Sequence, residues 1–150
     1  MRLKGSCHCG AVRFSLDSET PFPYQRCYCS ICRKTAGGGG YAINIMGDTD
    51  SFRSKGRTKI YRATRGGAQR HFCPKCGSAL WLWDRHWPKW IYPFASAIDT
   101  PLPVPKERFH VGLAWKAPWV RVPAGRGEKR FREFSGESII DWHRKRRLTR

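Results

Sequence analysis

What the 150-residue chain lacks narrows it first. It has no long hydrophobic run. The densest apolar stretch, "SALWLWDRHWPKWIYPF" at 78–94, is broken by charges and prolines and cannot cross a bilayer. The opening "MRLKGSCHCG" holds no apolar segment of the signal-peptide type, so the expectation is a soluble, cytoplasmic protein with no membrane partner. Acidic residues are scarce, 11 against 29 Lys and Arg, for a formal charge of +18. Such a field attracts anions, from nucleic acid to small acidic substrates, without choosing among them. No internal repeat and no long low-complexity linker is visible. The "GGGG" run at 37–40 lacks the lysine–hydroxyl ending of a phosphate loop and reads as a loop, one that lets a substrate approach backbone. A 150-residue chain is one ordinary domain, long enough to bury a core.

What is present is mostly short and alternating. In "AVRFSL" (11–16), Val12, Phe14 and Leu16 share one face of a strand, and in "YAINI" (41–45), Tyr41, Ile43 and Ile45 do the same. "KIYRAT", "ALWLW" and "RFHVGLAW" are further strands, with Gly, Pro, Asp and Ser clusters between them. The prediction is a mainly β fold. One helix is expected, in "SGESIIDWHRKRRL", with Ile139, Ile140 and Trp142 partly against the body. Ten basic and four acidic residues lie between Arg121 and Arg150, so residues 123–150 read as a separable basic extension of a domain spanning 1–122. Trp81, Trp83, Trp87 and Trp90 read as core or pocket wall, and Trp115 and Trp119 as core.

The seven cysteines carry the chemistry. Their spacings are C-x-C (Cys7, Cys9), C-x-C-x-x-C (Cys27, Cys29, Cys32) and C-x-x-C (Cys73, Cys76). The count is odd, and cysteines this close rarely bond to one another but readily converge on one metal ion. In "FCPKCGSAL", Pro74 fixes φ in a tight turn and Gly77 supplies a positive φ after the second sulfur. "SCHCGAV" is a pair of similar size with glycine in the matching place. Joined, Cys7, Cys9, Cys73 and Cys76 make a closed tetrahedral S₄ site that staples the amino-terminal strand to the middle of the chain.

Cys27, Cys29 and Cys32 then have three sulfurs and a vacant place, the pattern of a catalytic zinc. A sulfur-rich set favours zinc, with Fe(II) and Cu(I) as alternatives. His8, His71, His86 or His110 closing the second site is the competing reading, and a Cys29–Cys32 redox dithiol is a further one. Arg33 and Lys34 are candidates for holding a substrate carboxylate, although a basic pair after a metal loop is more often simply solvated. His110 is a candidate proton carrier or cavity residue.

The order "GSCHCGAVRF", "CYCSICRKTAGG", "QRHFCPKCGSAL" resembles the glutathione-dependent formaldehyde-activating enzyme family, which includes centromere-protein-V-like proteins. The segment "ASAIDTPLPVPKERFHVGLAWKAPWV" is similar to its carboxy-terminal part, so the likeness spans about residues 3–122. The resemblance implies an Mss4-like zinc-binding β fold with two Zn²⁺ per chain. Cys7, Cys9, Cys73 and Cys76 would hold the structural ion, and Cys27, Cys29 and Cys32 the catalytic one. It also implies a carbon–sulfur lyase or synthase acting on the adduct of a small thiol, glutathione or similar, with formaldehyde or another small carbonyl compound. The rival expectation is a basic, zinc-stabilised module that binds nucleic acid or protein without catalysis. A zinc protein that no longer turns over is a third.

Overall fold

The computed structural model describes residues 1–149. Its architecture is mainly β, as expected, with three small sheets and two short helices. The first sheet holds β1 (Arg2–Ser6), β2 (Arg13–Asp17) and β6 (Arg53–Lys55), in the order β1-β2-β6. The second runs β5 (Gly47–Asp48), β10 (Trp90–Pro93), β9 (Ala79–Trp83), β8 (Gln69–Phe72), β7 (Lys59–Tyr61), antiparallel throughout. The third runs β12 (Glu128–Arg130), β11 (Arg108–Val111), β3 (Gln25–Cys27), β4 (Ala42–Ile43).

Alternation places β2 as the sequence indicates: Val12, Phe14 and Leu16 are all buried. They join Leu3, Ile45, Leu80, Trp81 and Ile91 in a first core that also contains Cys7 and Cys73. Phe14 and Phe52 meet Trp81 edge-on at 5.3 and 4.9 Å, the geometry that sets ring edges against ring faces. Gly5 of β1 has no room for a side chain, because a Cβ there would strike the Phe14 ring and the Ala97 carbonyl.

A second core gathers Phe22, Tyr24, Ala42, Phe94, Phe109, Val111 and Trp142 around Cys27 and Cys32. β9 serves both cores. Leu80 and Trp81 enter the first, while Ala79 and Leu82 pack against the second. Each core thus carries members of one cysteine cluster.

The third sheet is built on β11, which pairs in parallel with β3 on one side and β12 on the other. Parallel neighbours need long connections, and here β3 and β11 lie about 80 residues apart in the chain. Phe109, His110 and Val111 are consecutively buried, as expected of a strand covered on both faces.

Several details depart from the sequence reading. In 41–45 the buried residues are Ala42 and Ile45, while Tyr41 and Ile43 are only partly covered, because the strand ends after two residues and the alternation breaks. A helix not expected, α1 (Ser30–Thr35), lies inside the "CSICRKT" segment. Trp115 and Trp119 are exposed (44% and 70%) and not core, and Trp87 is exposed as well.

The expected terminal helix is present as α2 (Ile139–Lys145), capped by Ser138, whose Oγ accepts from the Asp141 N–H. Its contact with the body is far more than partial. Trp142 is 0% exposed and stacks on Tyr24 at 3.7 Å, and Arg146 pairs with Glu107 at 3.0 Å. The basic tail therefore contributes β12 to a sheet and a tryptophan to a core.

Candidate functional site

The first cysteine cluster forms where β1 ends and where β8 turns into β9. Cys7 and Cys73 are buried, and Cys9 and Cys76 are exposed. The four sulfurs lie within 4.8 Å of one another, with Cys7–Cys9 at 3.5 Å and Cys9–Cys73 at 3.8 Å. All seven cysteines are free thiols. A tetrahedron with Zn–S bonds of about 2.3 Å has S···S edges of about 3.8 Å, so this donor set fits a zinc ion by chemistry and by spacing.

Local backbone makes the arrangement. Gly10 and Gly77 adopt φ of +74° and +75° immediately after the second cysteine of each pair, the conformation that favours glycine. The Gly77 N–H closes the knuckle onto the Cys73 carbonyl at 2.9 Å. The Val12 N–H donates to Cys7 Sγ at 3.2 Å, and the Ser78 hydroxyl lies 3.2 Å from Cys76 Sγ. The Ser78 hydroxyl and then its N–H lower the Cys76 thiol to about 5, so this sulfur favours the thiolate at neutral pH.

The second cluster is assembled within six consecutive positions. Cys27 is the last residue of β3, Cys29 caps α1 and Cys32 lies one turn into it. The Cys29 Sγ accepts from the Cys32 N–H at 3.4 Å. The three sulfurs again lie within 4.8 Å of one another. Hydrogen bonds from the Cys27 and Cys32 thiols pull Cys29 down to about 2, and Cys29 pushes Cys27 up in return. The three sulfurs are a set of soft donors that fits zinc.

Among the described residues no histidine or carboxylate joins this trio within that reach. The histidines offered as closing ligands are engaged elsewhere. His71 Nδ1 meets Thr58 Oγ1 at 2.9 Å, His86 Nδ1 meets Asp84 at 2.6 Å, and His8 is exposed beside the other cluster.

His110 is 0% exposed, with Nδ1 2.9 Å from the Tyr28 hydroxyl and Nε2 2.6 Å from Glu128 Oε2. Burial lowers its pKa, against the opposing pull of Glu128, so the ring is neutral at pH 7. The bond from His110 in turn lowers Glu128. An ionised Glu128 requires the proton on Nε2, which leaves Nδ1 to accept from the Tyr28 O–H. The chain Tyr28→His110→Glu128, closed by Arg108 at 3.3 Å, fixes the residue between Cys27 and Cys29. Glu128 was not singled out from sequence. It lies 18 residues from His110, and only the parallel pairing of β11 with β12 brings them together.

Arg33 and Lys34 of α1 line a cleft of about 710 Å³ that opens between this helix and the Cys7–His8 turn. Arg33 Nε donates to the Trp115 carbonyl at 3.3 Å. Gly37 and Gly38, the first residues of the glycine run, lie on the same wall.

The profile of the glutathione-dependent formaldehyde-activating enzyme family matches residues 2–111, which contain all seven cysteines. The chain belongs to this family. Across 149 residues, 95% of each chain, it is 52% identical to a Halomonas elongata protein that carries the provisional name glutathione-dependent formaldehyde-activating enzyme. It is also similar to the crystal structure of a Rhodobacter sphaeroides protein, at 28% identity and a TM-score of 0.56, covering 67% of this chain and 91% of that one. In this chain the two cysteine clusters are groups that could hold metal ions. No helix among the described residues is long and apolar enough to cross a membrane.

Proposed function

We propose that this protein is a zinc-dependent carbon–sulfur lyase or synthase. Its substrates are a small thiol of the glutathione type and formaldehyde or another small carbonyl compound. The observation that carries this reading is the three-cysteine cluster, with sulfurs within 4.8 Å and no fourth protein ligand among the described residues. Cys7, Cys9, Cys73 and Cys76 would hold a second, structural zinc. When bound at Cys27, Cys29 and Cys32, zinc supplies a cationic centre that lowers the pKa of an incoming thiol.

The remaining work falls to the chain. Cys27, Cys29 and Cys32 hold that centre beside α1, and Tyr28, locked by His110 and Glu128, keeps the cluster backbone in place. Arg33 and Lys34 offer cations to substrate carboxylates at the cleft. In the forward direction a sulfur–carbon bond forms as the carbonyl π bond opens onto oxygen, and the thiol proton ends on that oxygen. The reverse step breaks the same bond and returns the thiol. Seven free cysteines suit a reducing, cytoplasmic compartment.

The test is the rate at which glutathione and formaldehyde form their hydroxymethyl adduct, followed by NMR, with metal content measured on the same sample. Two zincs per chain and acceleration lost in Cys32→Ser support the proposal. Full zinc content with no acceleration for any thiol–aldehyde pair overturns it. Tight, steeply salt-dependent nucleic-acid binding would then favour the basic-module reading.

A further inference from the structure

Beside the second core lies a smaller cavity of about 430 Å³ that adjoins the Arg33–Lys34 cleft through Thr35, Gly77 and Ala79. Its walls include Thr35, Tyr61, Phe72, Ala79 and Phe94, and its one permanently charged lining group is Arg70. The cavity borders the core that contains Cys27 and Cys32, although none of the three sulfurs lines it. Thr35 follows Cys32 by one helical turn, Phe94 belongs to the same core as Cys27 and Cys32, and Ala79 packs against that core.

β-Sheet register aims Arg70 at this space. It pairs with Tyr61 across β7–β8 and with Leu82 across β8–β9. Residues directly opposite on neighbouring strands share a face. Tyr61 lines the cavity and Leu82 packs against the second core, so Arg70 points between them. Its Nη1 is shielded from solvent and has no hydrogen-bond partner, and no described carboxylate forms an ion pair with it. Arg33, by comparison, already donates to a carbonyl.

A guanidinium N–H kept dry without an acceptor is strongly unfavourable, and a carboxylate is the acceptor its planar fork matches best. We infer that Arg70 is a second carboxylate anchor for the substrate, in addition to the Arg33–Lys34 cleft. The Arg70 Nη1 pairs with a carboxylate on a short-chain thiol, Phe72 and Phe94 cover the carbon chain, and the sulfur is directed toward Cys27, Cys29 and Cys32. This rests on the three-cysteine cluster being the thiol-accepting site. It adds a selection rule: thiols bearing a carboxylate are preferred over otherwise identical neutral thiols.

The experiment uses full-length, zinc-loaded protein and calorimetric titration with 3-mercaptopropionate, 3-mercaptopropionamide and sulfur-free propionate. The acid thiol should bind on the order of tenfold more tightly than the amide. Arg70→Gln should erase that preference while leaving zinc content and amide binding unchanged, and Arg70→Lys should restore part of it. Equal affinities in the wild type overturn the inference. So does a loss of zinc in Arg70→Gln, which would make the arginine only a counter-charge to the sulfur cluster. If propionate matches the acid thiol while Arg70 still discriminates acid from amide, the anchor stands and the thiol-accepting role of the cluster falls.

Discussion

The four-cysteine cluster joins sulfurs from segments 64 residues apart, whereas the three-cysteine cluster is complete within six positions of the chain. The first is a long-range clamp. It ties the β1–β2 hairpin to the β8–β9 hairpin, and its buried members, Cys7 and Cys73, are part of the core between them. The second depends on one strand end and one helical turn, with its placement left to Tyr28, His110 and Glu128. Long-range closure removes much chain entropy from the unfolded state, and local closure removes little. On the proposed function, the first cluster would be the stabilising site and the second the one that serves the reaction.

The largest expected effect breaks the clamp. Cys76→Ser should unfold the protein or remove on the order of 5 kcal/mol of stability, read by thermal melting beside metal content. Cys32→Ser should leave the melt within a few degrees while removing one zinc and at least about a hundredfold of activity. If the two variants melt alike, the division of labour between the clusters is wrong.

Next comes the scaffold of the local cluster. Trp142→Ala, which hollows the second core, should cost about 3–5 kcal/mol, measured by urea denaturation. Because that core also contains Cys27 and Cys32, the variant should lose the second zinc before the first.

A pH series sharpens the same contrast. His110 and His143 both have pKa values lowered by burial, so each is neutral in the fold at pH 7. Unfolded histidine takes its proton near 6.5, so their stability contribution is full above that pH and is lost as pH falls toward the folded values. His143 shows the cause. Its Nε2 must accept from the Phe22 N–H at 3.2 Å while Nδ1–H donates to the Ile139 carbonyl at 2.8 Å, which a doubly protonated ring cannot do. Hydrogen exchange between pH 7 and 5 should therefore show the β3–β11 region and α2 opening before the β1–β2 hairpin. The smallest effect is expected from Arg33→Ala, a several-fold rise in KM for an anionic thiol with no change in melting.

The clusters were legible because spacing is a local property. C-x-C, C-x-C-x-x-C and C-x-x-C state which sulfurs stand close, and the glycines after Cys9 and Cys76 announce the turns. β2 and β9 showed themselves through apolar patterning. α1 did not, since six residues capped by a cysteine carry too few turns for a helical period. Trp115 and Trp119 were placed inside on hydrophobicity alone, which cannot distinguish a core ring from an exposed one. Glu128 and Arg70 leave no mark in the sequence. Their meaning comes from strand register, which pairs residues by hydrogen bonding across the sheet.

The parallel pairing of β11 between β3 and β12 also sets an order of events on the ribosome. The first cluster has all four sulfurs once residue 76 has emerged, so its ligand set is complete early. The cluster at 27–32 is synthesised sooner, yet its supporting strand, β3, waits for residues 108–130, and its core waits for Trp142. A chain stopped at residue 120 would hold all seven cysteines yet lack β12 and Trp142, so the last-made helix completes the support of the three-cysteine cluster.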